Sequence, residues 1–522
     1  MDHLSPLSFA VHSTFAFVSI AILVGLYRAI LHPLRGIPGP FLAKFTELWR
    51  TRRYFSGYWH EDILSLHKKY GPVVRIAPNE VSVVHIDLTT TAYGYGSAGT
   101  AKTPWYSTWA TLGGRNGKNG PPSFFGEQNS ETHSFMRKRV SHLYSMSSIM
   151  GAQDKIQVVL DSLWEKFDRF AKEGEEINLS KWAFYFTYDV VGTITWSEPL
   201  GMIREEKDVG SYIRLMHEAF YWICNLGYLP GNSAWITHPL TARIAPLFGS
   251  SMHLSAAPFQ RETFQKVMTR MKAGPVKDDQ AKDMLDHFLG LKDQDGKPLN
   301  LEGLMPEVGN PMAAGADTTS IGIRAVLAPV LRSEMHYKRL QDEIDQAWKQ
   351  ASLGDGEVLR FDVLSNLPFL SACIKEGGRM HPSVVYNLPR YVPKGGVTFD
   401  NHFIPETATL SYSPLAQNRC KTIFGEDADQ WRPERWIEGE GSSEEELRNM
   451  NKYLATFGYG SRACIGRNLA MFEMYNFIGQ ILSRYDVELL DKDKPLKIRS
   501  SWISNLENMR IRLKKRSSTT AL

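Results

Sequence analysis

From Phe9 to Leu26 the chain reads FAVHSTFAFVSIAILVGL, and no Asp, Glu, Lys or Arg occurs between residues 3 and 27. At ~1.5 Å per helical residue, an unbroken apolar run of this length covers most of the ~30 Å hydrocarbon core of a bilayer. It predicts a membrane-crossing helix. A cleaved signal peptide would want a basic start and a small-residue cleavage site, whereas Asp2 leads and Arg28 and Arg35 follow. Positive charge after the helix favours a cytosolic position for what comes next. In HPLRGIPGP, Pro33, Pro38 and Pro40 with Gly36 and Gly39 forbid helix continuation and predict a stiff elbow. The pattern therefore divides the chain into an anchor (1–32), a Pro/Gly hinge (33–40) and one catalytic unit (41–522).

Within that unit, VVRIAP and VSVVHI are β-rich runs separated by Pro78 and Asn79, which predicts two antiparallel strands. Ile156, Val159, Leu160, Leu163, Phe167 and Phe170 follow the stripe of an amphipathic helix, and EMHYKRLQDEIDQAWKQ, residues 334–350, is a second with a charged outer face. Short strands recur between Tyr391 and Phe403 and again in the basic tail. The class is mainly α with small β-sheets, α+β, in a single domain. A length of 522 residues would by itself suggest three or four domains at ~150 residues each, but no Ser/Gly linker or repeat divides the sequence. A formal charge of +4 offers no reason to wrap nucleic acid. Four widely spaced cysteines, Cys224, Cys373, Cys420 and Cys464, match neither a disulfide framework nor a metal finger, which points to a reducing compartment.

The tetrapeptide GYGS occurs twice. The first copy completes a G-x-G-x-x-G with Gly94, Gly96 and Gly99, the spacing of a dinucleotide phosphate loop, but such a loop needs a strand leading straight in and a helix leading out. Asp87 to Tyr95 intervene after VSVVHI, and TPWYSTW and LGGRNGKNGPP follow, which cannot make that helix. The first copy is read as a mobile, substrate-facing aromatic loop that binds no dinucleotide. The second copy, in FGYGSRACIG, places Cys464 in a glycine-rich turn directly before the amphipathic NLAMFEMYNFIGQILSRY. A thiolate at a helix N-terminus is stabilised by the helix dipole and by free backbone N–H groups, and glycines allow a flat cofactor to approach.

F-x-x-G-x-R-x-C-x-G, here Phe457, Gly460, Arg462, Cys464 and Gly466, resembles the haem-binding loop of the cytochrome P450 family. The resemblance implies that Cys464 is the axial thiolate of haem b, that Phe457 shields the sulfur and that Arg462 meets a propionate. Glu376 and Arg379 of KEGGRMHP, with Arg435 of WRPERW, resemble the family's structural ion network, which takes no part in turnover. PMAAGADTTS resembles the segment crossing the distal haem face: Ala314 and Gly315 leave room for dioxygen, and Asp317 and Thr318 supply a proton route. There the Thr318 hydroxyl can bond the Ala314 carbonyl and open the helix to water, and Pro311 can kink it. His133 and Arg137 of HSFMR, with neighbouring Arg139, and Arg390 of LPRYVPKGG sit where the family carries propionate donors, guanidinium groups suiting carboxylates. NRCKTIFG departs from the pattern, because Asn418 and Cys420 stand where the family commonly has His and Asp or Asn.

What the resemblance implies is a membrane-anchored haem-thiolate monooxygenase. It would insert one atom of dioxygen into a small apolar substrate, by hydroxylation, epoxidation or oxidative demethylation. With no flavin or nicotinamide module left in the chain, electrons would come from a separate NADPH-cytochrome P450 reductase, with cytochrome b5 as a second donor, at the endoplasmic reticulum membrane. The rival readings are a haem-thiolate isomerase or dehydratase that works without reductase, and a non-enzymatic haem sensor. Pocket walls are expected from Tyr93 to Phe125, AFYWICNLGYLPG, the turn before Asp317, Val385 to Leu388 and Trp502 to Asn505, suiting an apolar molecule. IAPNEVSV and YGYGSAGTAKTPWY resemble filamentous-fungal members, including the pisatin demethylase-like group, which implies natural-product metabolism.

Overall fold

The computed structural model describes residues 6–516 apart from 95–100, 114–119, 230, 233, 235–237, 245–246, 248–256, 275–281 and 354–356. Helix α1 (Pro6–Leu26) continues through one π-helical turn to Leu31. Its stretch His12–Leu31 is long and apolar enough to cross a membrane, and none of it is buried by protein. The helix stops just before Pro33, with His32 extended and its amide bonded back to the Tyr27 carbonyl. The elbow beyond is tied to the body of the protein: Leu34 and Ile37 are buried, and the Arg75 amide donates to Pro38 O at 2.7 Å. A Cβ on Gly39 would overlap the Arg75 backbone.

Strands β1 (Val73–Ala77) and β2 (Glu80–Val83) pair antiparallel, as their two β-rich runs predict. Further strands are β3 (Glu176–Asn178), β4 (Arg390–Tyr391), β5 (Val397–Phe399), β6 (His402–Ile404) and β7 (Thr409–Ser411). Near the C-terminus come β8 (Tyr485–Leu489), β9 (Lys497–Ser501), β10 (Ile503–Glu507) and β11 (Arg510–Lys515). They form a sheet in the order β1-β2-β7-β4, a sheet β3-β11-β8, and the hairpins β5-β6 and β9-β10. The last hairpin turns through Trp502 at φ +80°, a value rare for a bulky residue, and this aims the indole at Trp105 and Trp109, with centroids 5.1 and 5.3 Å away.

The helices that build the interior are α2 (Gln153–Glu173), α3 (Leu179–Trp196), α4 (Tyr212–Leu226), α5 (Leu301–Arg332), α6 (Glu334–Ala351), α7 (Pro368–Met380) and α8 (Arg467–Arg484). All six residues of the predicted α2 stripe are buried, and α6 matches the second amphipathic segment. The architecture is mainly helical with small sheets. Helix α5 is the central beam: α3, buried along almost its whole length, packs along it, as do α7 and α8. It runs unbroken for 32 residues although Pro306, Pro311 and Pro329 each remove a backbone donor, so Pro311 does not end the helix.

Helix α7 is wedged into this frame by two adjacent glycines. A Cβ on Gly377 would stand 2.6 Å from Val326 Cγ2 of α5, and one on Gly378 would stand 2.8 Å from Thr456 Cγ2 on the far side. Alanine favours a helix over glycine by about 1 kcal/mol, whereas overpacking costs about 1–3 kcal/mol. Gly377→Ala is therefore expected to lower the Tm in thermal unfolding; a rise would mean that α5 and α7 do not meet this closely.

Candidate active site

The Cys464 amide donates to Phe457 O at 2.7 Å and closes the glycine-rich loop. Gly458 and Gly460 adopt φ +70° and +60°, the left-handed region that side chains disfavour. Gly460 has a second reason to lack a side chain: a Cβ there would overlap Tyr93 O and lie 2.8 Å from the Gly94 carbonyl carbon. The second GYGS thus rests on the start of the first. Tyr93 is buried, and its hydroxyl donates to Leu388 O at 2.5 Å. The mobile-loop reading therefore does not hold for Tyr93 and Gly94, because the cysteine loop packs on their backbone; Gly96 and Gly99 lie outside the described residues. Gly466 needs no positive φ, its value being −80°; what it leaves is space, since a Cβ there would stand 4.0 Å from Cys464 Sγ.

Cys464 presents accessible surface, whereas Cys224, Cys373 and Cys420 are buried. Desolvation by the surrounding protein pushes its thiol upward, against the opposing pull of the Gly466 and Arg467 amides at the start of α8 and the charges of Arg137 and Arg467. Phe457 is partly buried against the core, with the Arg467 guanidinium 5.7 Å from its ring centroid.

Around this loop positive charge converges. His133 is buried on the helix Ser130–Val140 and its imidazole is pushed down to about 3, by desolvation first and then by the charges of Arg462, Lys102, Arg137 and Arg390. Arg462 is itself lowered to about 10 by desolvation and by Arg390, with Arg137 adding to that and Tyr106 and Glu127 opposing. Lys102, which sequence reasoning missed, is buried, donates to Phe125 O and is pushed far down by burial and by Arg390 and Arg462. Arg390 lies 4.7 Å from the Tyr106 ring centroid. The nearby Arg139 points elsewhere, pairing with the buried Glu307 at 2.5 Å.

Glu376 accepts from Arg379 Nε and Nη2 at 2.8 Å each, from Arg435 Nε at 3.2 Å, and from the Trp436 indole and the Arg432 amide at 2.9 Å. Burial alone would raise its carboxyl, but the Arg379 hydrogen bonds and the charges of Arg379 and Arg435 hold it below the usual range. Arg379 also donates to the carbonyls of Asn418, Ala428 and Gln430. The departure at Asn418 costs no bonding: its Oδ1 accepts the Ala455 amide at 2.8 Å, at the entrance of the cysteine loop. Cys420 is buried ahead of a short helix.

On α5, Thr318 donates to Ala314 O at 2.7 Å, and Ser383 donates to Thr318 O at 2.7 Å. Ala314 is exposed, whereas a Cβ on Gly315 would stand 3.0 Å from Val191 Cγ2 of α3. Of the two small residues, Ala314 faces open space and Gly315 serves the contact between helices. Asp317 is buried, with one oxygen 3.3 Å from His217 Nε2. Three of the expected wall segments meet in one aromatic cluster, where Trp109 contacts Phe125, Phe220 and Trp502 at 5.1 to 5.5 Å.

A family model for cytochrome P450 matches residues 37–514. The chain belongs to the cytochrome P450 family. It is 30% identical over 520 residues, 98% of both chains, to cytochrome P450 monooxygenase asR2 of Sarocladium schorii. It is 30% identical over 488 residues to a pisatin demethylase of Fusarium vanettenii, covering 93% of this chain and 91% of that one. A crystal structure of a cytochrome P450DA heme domain shares the fold, with a TM-score of 0.74 at 16% identity over 92% of this chain and 98% of that one.

P450 proteins bind haem b, and this site suits it. Lys102 and Arg462 feel the charges of Arg137 and Arg390 with Glu127 as their opposing carboxylate; two propionates would balance the excess. Cys464 is a reachable sulfur beside which Gly466 leaves room. The charge imbalance makes a prediction of opposite signs. Lys102→Met is expected to stabilise the haem-free P450 chain, by removing a buried amine whose charged form is disfavoured there, and to speed haem loss to apomyoglobin from the loaded one.

The Glu376 network makes a second. Breaking a buried pair costs about 3–5 kcal/mol, so Glu376→Gln is expected to lower unfolding stability at pH 7 by about that much. Because the folded carboxyl is held below its unfolded value, its contribution is present above the unfolded value and disappears as pH falls through the folded one. Denaturant titrations across pH are expected to show the gap between wild type and variant closing on the acid side.

Proposed function

We propose that Cys464 would hold haem b through its sulfur, and that Lys102, Arg137, Arg390, Arg462 and His133 would receive its propionates. The single observation behind this is the convergence of that cationic set on the loop of the one accessible cysteine among the described residues. Haem with a thiolate ligand supplies dioxygen chemistry, the thiolate pushing electron density that favours O–O cleavage. The protein is a monooxygenase, as its relatives are named.

The chain's own residues do the rest. Asp317 and Thr318 hold and hand on protons on the distal side, Thr318 from Oγ1, while its bond to Ala314 O loosens the helix for water. The Glu376, Arg379 and Arg435 network keeps structure and stays out of turnover. Trp105, Trp109, Phe125, Phe220 and Trp502 orient an apolar substrate and exclude water. The Trp109 indole N–H has no acceptor among the described residues, so a flat apolar molecule bearing one carbonyl or ether oxygen is the best complement. Similarity to the pisatin demethylase and to fungal monooxygenases supports a role in secondary metabolism, with demethylation among its reactions.

The redox partner is an NADPH-cytochrome P450 reductase, with cytochrome b5 as a second donor. Residues 1–32 anchor the chain once in the endoplasmic reticulum membrane, 33–40 form the hinge, and 41–522 form the cytosolic haem domain. The apolar helix at His12–Leu31 and the basic residues after it support that placement. The isomerase reading gains nothing from the structure, since the Asp317-Thr318 pair is intact.

The reduced, carbon-monoxide-treated protein is expected to show the red-shifted thiolate band, and Cys464→Ser to lose it while still binding haem. Absence of the band from the wild type would sink the assignment.

A further inference from the structure

The carboxylate of Asp317 has neighbours on two other helices. Oδ1 lies 3.3 Å from His217 Nε2, while the buried Tyr188 hydroxyl on α3 is a second hydrogen-bonding neighbour of the carboxylate. His217 belongs to α4, a different helix from the acid it touches, and its side chain is 28% exposed where that of Asp317 is 1%. Its ring meets Phe184 edge-on at 5.2 Å. Phe184, Asp208, Ile213 and Arg214 help to line a surface groove of about 330 Å³, and Ile213 and Arg214 stand one turn before His217 on α4. One turn further on, Phe220 packs against Trp109 of the aromatic cluster at 5.5 Å. His217 therefore stands where groove, buried acid and aromatic cluster meet.

The charged groups around this imidazole act in both directions. Burial and Arg324 disfavour the imidazolium, while Asp317, through charge and hydrogen bond, and Asp208 favour it, and the net direction is upward. Tyr188, buried beside Asp317, is held far above its ordinary range by burial and by the charges of Asp317 and Asp208, so it keeps its proton and hydrogen-bonds the carboxylate without giving that proton up. Arg324 is fixed by Ser320 and Asn505; burial lowers it to about 9 against the opposing charges of Asp317 and Glu507, so near neutrality it stays a cation.

We propose that His217 positions Asp317 and returns its proton after each transfer, linking the surface groove to the distal acid. This rests on the reading of Asp317 and Thr318 as the proton route. When Asp317 has released its proton toward Thr318, the Nε2–H bond of the His217 imidazolium breaks and its electron pair stays on nitrogen. The proton passes to Asp317 Oδ1; the neutral ring, protonated at Nδ1 alone, then turns so that Nε2 leaves the acid, takes its second proton from water on the exposed side of the ring, and swings back. Because α4 also carries Phe220, occupancy of the aromatic cluster acts on the position of the same helix that carries this donor.

Two measurements on the haem-loaded protein test the proposal. In the diamagnetic ferrous carbon-monoxide form with ¹³C-labelled histidine, the His217 resonance, assigned by its loss in His217→Gln, is expected to titrate above the ordinary value of 6.5 and to fall in Asp317→Asn. With reductase and no added substrate, His217→Gln is expected to slow NADPH oxidation by about tenfold or more and to flatten its pH profile, with the double variant no slower than Asp317→Asn alone. A His217 titration unmoved by Asp317→Asn, or a His217→Gln profile equal to wild type, overturns the proposal. Both variants are expected to keep the thiolate band. Its absence from the wild type would overturn the monooxygenase assignment instead, so the two failures are distinct.

Discussion

Glu376 sits fully buried between Arg379 and Arg435, and none of the three charges could stay in that interior alone. Removing an ion from water costs several kcal/mol even after relaxation, so each group must be met from several sides. The carboxylate is met by two guanidinium groups, an indole and a backbone amide, and Arg379 spends its remaining donors on the carbonyls of Asn418, Ala428 and Gln430. Helix α7 is thereby tied to a chain segment some fifty residues downstream. The demand of these charges for partners fixes how α7 meets the segment from Asn418 to Trp436.

That frame transmits position through close contact. Gly377 lets α7 touch α5, and Gly378 lets it touch Thr456, one residue before Phe457. The helix carrying Asp317 and Thr318 and the loop carrying the sulfur are consequently both referenced to α7, on either side of adjacent glycines. Asn418 and the Thr456 hydroxyl, which donates to Gly378 O at 2.8 Å, complete the link from the ion network to the cysteine loop. Near the loop, the fold gathers Lys102, Arg390 and Arg462 so closely that the charged forms of Lys102 and Arg462 are disfavoured, and a dicarboxylate would relieve that cost.

Much of this was legible in the residues. The α2 stripe, the strand pair β1–β2, the apolar N-terminal helix and the bond from Thr318 to Ala314 follow from periods and local chemistry that act over a few residues. What stayed hidden depends on groups distant in the chain. Lys102 looked like an ordinary basic residue in a loop, and its only signal was a lysine inside an aromatic-rich stretch with few other charges. His217 carried no motif, and nothing local announces that its ring meets an aspartate from another helix. Gly315 read as room for dioxygen, yet its smallness answers to Val191 on α3.

The repeated GYGS shows the same division. Residue order alone distinguished the copies, since only the second sets a cysteine, with Phe457 and Arg462 around it, in a turn directly before a helix, although in the fold burial raises that thiol against the pull of the helix-start amides. That Gly460 must be glycine because Tyr93 and Gly94 lie against it could not be read there, because close packing between remote segments is set by the whole arrangement of helices and sheets. The chain specifies the sulfur, the acid, the alcohol and the bases; folding decides which of them share a space, and with which neighbours.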